Sequence, residues 1–179
     1  MAKGNQIFTA GEPRGVEVRG LISGTPKPGQ AVILKPAVDR DDNGLFTYIV
    51  SGRDFNGQSD ELIILDGDWE QGKTAVDAYL DGTPFKGYIP LVGERCNLLV
   101  KASSGAVTIG KKYMVEASSG LFMPLPAQAS DYATPGLDTE AEVIVAMNLN
   151  RRFAVARALE AISDPGSNTL VWMEIIRNC

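Results

Sequence analysis

Ala31-Val32-Ile33-Leu34 and Leu45-Phe46-Thr47-Tyr48-Ile49-Val50 flank Asp42-Asn43-Gly44. Both flanks are rich in β-branched and aromatic residues, and Asn-Gly supplies the positive φ angles of a type I′ turn, so the stretch predicts a β-hairpin. Further along, Leu62-Ile63-Ile64-Leu65 is a second short apolar run, closed by Asp66-Gly67-Asp68. Residues 85–126 read as consecutive hairpins, residues 141–147 as a strand, and residues 170–176 as a final strand after Asp164-Pro165-Gly166. The fold class is therefore mainly β, hairpin-rich, with at most one or two short helices.

Upstream of the hairpin the texture changes. Gly4, Gly11, Pro13, Gly15, Gly20, Gly24, Pro26, Pro28 and Gly29 interrupt the first 30 residues. Such spacing forbids a helix and predicts an extended N-terminal arm over 1–30 with one short strand, Val16-Glu17-Val18-Arg19. Residues 31–179 then form a single β-rich domain, with 55–82 as an inserted lobe. In that lobe Ala75, Val76, Tyr79 and Leu80 recur at helical spacing, which predicts a short amphipathic helix over 73–80 ended by Gly82. Val100-Lys101-Ala102-Ser103-Ser104-Gly105 returns fifteen residues later as Val115-Glu116-Ala117-Ser118-Ser119-Gly120. That period is too short for a solenoid unit and fits two strand ends sharing one turn chemistry. Residues 153–162 suit a helix by their alanines and a strand by alternation.

Composition prunes the chemistry. The 179 residues contain no histidine, 2 cysteines, and 17 Lys+Arg against 22 Asp+Glu, a formal charge of −5. Without histidine there is no Ser-His-Asp or Cys-His activation, and most catalytic zinc sites are lost. The scattered basic residues argue against a nucleic-acid partner. No apolar run approaches the ~20 residues of a membrane-spanning helix, and nothing behind the N-terminus reads as a signal peptide. A soluble protein in a reducing cytosol, its thiols free, is the expectation.

Three motifs resemble sites and fail on their details. Asp39-Arg40-Asp41-Asp42-Asn43-Gly44 matches the first half of a calcium loop, but Val50 stands where a bidentate Glu is required. Gly105-Ala106-Val107-Thr108-Ile109-Gly110-Lys111 has phosphate-loop spacing, but Lys112 replaces the Mg²⁺-binding hydroxyl and the stretch reads as strand. The carboxylate pairs Asp60-Glu61, Asp66/Asp68 and Glu140/Glu142 lie among turn residues, where acids are solvated. No catalytic, cofactor or metal residue is assigned, and no enzyme activity is expected.

Gly87-Tyr88-Ile89-Pro90-Leu91-Val92-Gly93-Glu94-Arg95-Cys96-Asn97-Leu98-Leu99-Val100 is followed by Gly110-Lys111-Lys112-Tyr113-Met114-Val115. The chain closes with Ala156-Arg157-Ala158-Leu159-Glu160-Ala161-Ile162 and Thr169-Leu170-Val171-Trp172-Met173-Glu174-Ile175. These stretches, covering residues 85–177, resemble the small decoration (cement) proteins and related structural proteins of tailed bacteriophage heads. The resemblance implies a β-barrel or β-tulip domain, a strand over 153–162, and an N-terminal arm laid across the capsid or a neighbouring subunit. It implies a virion protein, made in the host cytoplasm, that binds the major capsid protein as a homotrimer and stabilises the outside of the head. No cofactor, nucleic acid or membrane is then needed.

Residues expected at such contacts are Ile7, Phe8, Pro13, Val16, Val18 and Leu21 of the arm, with Phe85, Tyr88, Phe122 and Tyr132. For each aromatic, ordinary core packing is the competing expectation. The alternatives are another head or tail component and, in a different class, a carbohydrate-binding module stacking sugars on Trp69 or Tyr79.

Overall fold

A computed structural model describes residues 7, 15–34, 44–50, 62–67, 74–116, 118–125 and 154–176. Every regular element among them is a strand: β1 (Val16–Ser23), β2 (Ala31–Leu34), β3 (Thr47–Val50), β4 (Ile63–Leu65), β5 (Pro84–Ile89), β6 (Arg95–Val100), β7 (Lys112–Val115), β8 (Phe122–Pro124), β9 (Ala156–Ala158) and β10 (Thr169–Ile175). The fold is mainly β.

The strands close into two barrels, β1-β3-β2-β4-β5 and β10-β6-β8-β7-β9. They are the same barrel built twice. In the first, β1 runs parallel to β3 and all other pairs are antiparallel. In the second, β6 runs parallel to β8 and the rest are antiparallel. The registers also agree around the whole ring. Val18 faces Gly87, Leu65 faces Gly87, Val32 faces Ile63, Leu34 faces Tyr48, and Ile22 runs beside Tyr48. The matching pairs are Cys96 with Met173, Ala158 with Met173, Tyr113 with Ala156, Val115 with Phe122, and Val100 beside Phe122. Because strand number and stagger fix a barrel's girth, equal registers make two barrels of equal cross-section.

Alternation along the strands fills each interior. Ile22, Val32, Tyr48, Ile63, Leu65 and Phe85 form the core of the first barrel, where Tyr48 and Phe85 meet edge to face with centroids 5.1 Å apart. Cys96, Leu98, Val100, Tyr113, Phe122, Ala158 and Met173 fill the second. That second cluster continues onto Ala31, Leu62, Ile64 and Tyr88 of the first barrel, so the two barrels are packed together. Ile64 lies between the inward-facing Ile63 and Leu65, and a strand's period of two turns it to the outer face.

Several expectations change. The strand expected at Val16–Arg19 forms but runs on to Ser23, and instead of lying in an arm it is a full barrel strand paired on both sides. Gly20 is not a breaker there: a Cβ on it would lie 2.6 Å from the Tyr48 ring and 2.6 Å from the Phe46 carbonyl oxygen. Nor do the described residues of the 55–82 segment form a separate lobe, since β4 closes the first barrel between β2 and β5. Over 74–80 the chain makes turns, not a helix. Thr74 donates both its amide and its hydroxyl to Asp77 Oδ2, and Asp77 N returns a bond to the Thr74 carbonyl, closing the turn locally. Ala75 and Tyr79 are buried while Val76 and Leu80 are exposed.

The hairpin between β2 and β3 forms, with Gly44 at φ 78°, but its register begins at Leu34 and Tyr48 and the connection is longer than a two-residue turn. Residues 141–147, and Asp39–Asn43 of the half calcium loop, lie outside the described residues. Within 153–162, Ala156–Ala158 is a strand whose alanines face inward and whose Arg157 faces out. The fifteen-residue repeat becomes two turns of the second barrel, joined by an ion pair from Lys101 to Glu116, the second residue of each copy. Glu116 also accepts a bond from Ser119 Oγ.

Candidate contact surface

Each barrel contains one parallel seam, and the seams differ. In the first barrel, β1 and β3 stay in register at Leu21–Thr47, Ile22–Tyr48 and Ser23–Ile49. In the second, β6 and β8 meet in register only at Val100–Phe122. Before that point the strands part, and their main-chain groups need partners, because a buried amide without one costs about as much as a lost hydrogen bond. Other parts of the chain supply them. Leu99 N donates to Gly29 O at 2.9 Å, Ala31 N donates to Gly120 O at 2.8 Å, and Gln30 Nε2 donates to Ser119 O at 2.7 Å. Asn97 N donates to Ile7 O at 2.5 Å, and the Ile7 side chain is wholly buried in the second barrel's cluster. The β1–β2 connection and one residue of the N-terminal segment thus complete the second barrel.

Exposed large apolar side chains among the described residues are Val16, Leu34, Val76, Leu80, Leu91, Val92, Ile109 and Trp172, and two of them lie on the link between the barrels. Val16 is 62% exposed at the start of β1, opposite Ile89. Gly15 lies so close to Ile89 and Pro90 that a Cβ would sit on the Ile89 carbonyl. Leu91 and Val92 follow immediately, 50% and 64% exposed. Their turn is held by Leu91 N donating to Glu94 Oε2 at 2.9 Å and Gly93 N donating to Ile175 O at 2.7 Å. Leu91 and Val92 therefore stand exposed on a fixed turn, with the exposed Val16 on the neighbouring strand opposite Ile89. The contact residues expected from the sequence did not include Leu91 or Val92, although an adjacent Leu-Val in a Pro-Leu-Val-Gly turn is a readable signal.

The other expected contact residues are dispersed. Val18 packs against the first core, Phe85 is part of it, and Phe122 is inside the second barrel. Burial assigns these to packing, because a barrel interior this narrow is filled by its own side chains. Leu21 is half-buried. Phe8, Pro13 and Tyr132 lie outside the described residues. Tyr88 is buried at the barrel junction, and its hydroxyl donates to Glu17 Oε2 at 3.3 Å. Burial raises the Tyr88 pKa, while the hydrogen bond from Arg19 holds Glu17 below the usual carboxylate range. Lys86 Nζ stands over the Tyr88 ring, 5.5 Å from its centroid.

Of the proposed sugar platforms, Tyr79 is fully buried and its hydroxyl donates to Asp66 O at 2.7 Å, so its ring presents no stacking face. Trp69 lies outside the described residues. Trp172, on the outer face of β10 opposite Asn97, is 38% exposed. Beside it Arg157 pairs with Glu174. Burial pushes the Cys96 thiol far above its ordinary pKa, which removes it as a nucleophile. Among the described residues no group of three or more acidic or cysteine side chains is placed to hold a metal.

No protein-family model matches the chain, and no curated protein matches it in sequence. Among solved structures, the chain is similar to the head fiber gp8.5 N base of bacteriophage phi29, at 10% identity and a TM-score of 0.47. That match covers 91% of this chain and 95% of the phage protein's chain.

Proposed function

We propose that this protein is a non-enzymatic virion structural component that sits on the outside of an icosahedral phage head as a homotrimer and bridges subunits of the major capsid protein. The observation that carries the reading is the exposure of Leu91 and Val92 on a hydrogen-bonded turn between two packed barrels, with the exposed Val16 on the adjoining strand. Exposed apolar residues grouped on a rigid support favour burial against another protein. A bridging protein also benefits from multiplied modest contacts, since symmetric assembly converts them into avidity. The resemblance of residues 85–177 to decoration proteins points in the same direction.

The test is binding of the purified protein to phage heads that lack it, measured by co-sedimentation and imaged for added density at three-fold positions. The double variant Leu91→Asp/Val92→Asp is expected to lose head binding while keeping the wild-type unfolding midpoint. Undiminished binding by that variant refutes the Leu91–Val92 turn as the contact surface.

A further inference from the structure

The repeat of the barrels extends to the lead-in of their second strands. Ahead of β2, Gly29 has φ 84°; Gly29 N donates to Leu65 O at 2.8 Å, Leu65 N to Gln30 O at 3.0 Å, and Gln30 N to Lys27 O at 3.2 Å. Ahead of β7, Gly110 has φ 84°; Gly110 N donates to Ala158 O at 2.9 Å, Ala158 N to Lys111 O at 2.9 Å, and Lys111 N to Thr108 O at 3.0 Å. Leu65 and Ala158 hold the same place in the two rings, as do the pairs Ala31–Ile64 and Lys112–Arg157. Gly110-Lys111-Lys112 is therefore the second barrel's copy of Gly29-Gln30-Ala31. What the two copies meet is different. The first is seated in the neighbouring barrel: Gly29 O accepts from Leu99 N, Ala31 N donates to Gly120 O, and a Cβ on Gly29 would lie 3.0 Å from Leu99 N. At the second, nothing lies within 4 Å of a Cβ on Gly110, and no amide of the described residues donates to Gly110 O. Ile109 is 70% exposed, and Gly110 and Lys112 are exposed with it.

We infer that Gly110–Lys112 is an open docking edge that takes an extended, acidic segment of a partner protein. The first copy shows what such an edge does when it is filled: its main-chain groups pair with parted strands of another barrel, which is the chemistry of strand addition. The side chains choose the partner. Gln30 and Ala31 of the filled copy are neutral, whereas the open copy presents Lys111, whose Nζ donates to Ala106 O at 3.3 Å, and the exposed Lys112. Lysine on an edge guards it against indiscriminate pairing, because like charges directly opposite are destabilising. An acidic strand meets no such barrier and gains an opposite charge at each lysine. A second copy of this chain does not fit, since its β6–β8 seam already holds its own Gly29–Ala31. Ile109, beside the edge, offers the incoming segment apolar contact. The edge does not include the Leu91–Val92 turn, and its occupancy does not depend on head binding.

The test titrates the full-length, nitrogen-15-labelled protein with a blocked synthetic peptide of alternating Glu and Val, and with its counterpart in which Lys replaces Glu. The acidic peptide is expected to shift the amide signals of residues 108–112 saturably, and to bind about tenfold more tightly than the basic one. The acidic peptide N-methylated at alternate residues is expected not to bind, because strand addition needs its main-chain donors. Lys111→Glu/Lys112→Glu is expected to reverse the preference between the two charged peptides at an unchanged unfolding midpoint. Should that variant fail to fold, Lys111→Gln/Lys112→Gln serves in its place and is expected to level the two affinities. Shifts that map away from 108–112, equal binding of both peptides by the wild type, undiminished binding of the N-methylated peptide, or no binding of the acidic peptide overturns the proposal. So does a Lys111→Gln/Lys112→Gln chain that self-associates and takes neither peptide, since the lysines would then be guards alone.

Discussion

Gly29→Ala is the perturbation that most directly interrogates how the barrels are joined. Gly29 has φ 84°, a region an L side chain enters at a cost of about 1–2 kcal/mol. A Cβ there would also lie 2.8 Å from Leu170 Cδ2, 3.0 Å from Leu99 N and 3.1 Å from Asn97 O. The leucine tip can rotate away, but the two main-chain atoms belong to β6 and cannot move without loosening β6 from β10. Forcing a methyl into such a fit costs roughly 1–3 kcal/mol more. The total, about 3 kcal/mol, corresponds to a fall in Tm of about 6–12 °C for a chain of this size. Gly24→Ala is the control: Gly24 has φ 90° but nothing within 4 Å of the added carbon, so it reports the backbone term alone. Urea unfolding of both variants, followed by circular dichroism, separates the two contributions. If the variants lose the same stability within about 0.5 kcal/mol, Gly29 is not wedged in the seam and the account of the second barrel's closure is wrong.

Tyr113 has a buried hydroxyl with no hydrogen-bond partner among the described residues, so Tyr113→Phe is expected to stabilise the protein by about 1 kcal/mol, read from the urea midpoint; a destabilised variant would show that the hydroxyl is satisfied. Cys96 is wholly buried and its thiol pKa is pushed up by that burial, so in a Cys179→Ser background it is expected to react with a thiol reagent only at the rate of opening, and fast native-state labelling contradicts this placement. The hydrogen bond from Lys101, then that from Ser119, holds the Glu116 carboxyl below its ordinary value of 4.5. Its stabilising contribution is therefore fully present above that value and is lost as pH falls through the lower folded value. Comparing urea midpoints at neutral and acidic pH, Glu116→Gln is expected to flatten part of the acid limb, and an unchanged pH profile counts against the bond.

What the sequence made legible followed from short-range physics. Alternation and β-branching marked β2, β3, β6 and β10, because a strand with one buried face must place apolar residues at every second position. β1 was read only as far as Arg19, because Gly20 looked like a breaker; its lack of a side chain answers to the Tyr48 ring from a strand two elements away. Around Thr74–Leu80 the helical spacing is real, but burial follows only Ala75 and Tyr79, so one apolar pair, not a continuous helical face, meets the core, and the Thr74–Asp77 bonds close a single turn. The exposed apolar positions were half visible. Val16 stood out as an arm residue, whereas Leu91 and Val92 looked like part of an ordinary strand connection. The buried Phe85 and Phe122 were indistinguishable from exposed aromatics without knowledge of the barrel phase.

The larger repeat was hidden for a different reason. A barrel's register constrains the size and phase of side chains, not their identity. Where geometry is demanding, equivalent residues stay alike: Tyr48 and Phe122 both stand beside the first strand of their barrel, against Ile22 and Val100. Elsewhere volumes are exchanged between neighbours. Ile63 and Gly87 in the first barrel correspond to Ala156 and Met173 in the second, so a large residue on one strand answers a small one on the next. Complementary substitution of this kind preserves the interior while erasing sequence similarity. The outer faces are under no such constraint, and there the barrels diverge in character: Lys86, opposite Arg19, becomes Trp172, opposite Asn97. Two copies of one skeleton with different surfaces favour a division of labour. The first barrel is closed by its own strands, whereas β6 of the second also takes main-chain bonds from Gly29 and Ile7, so the second half is finished by chain that lies outside its strands.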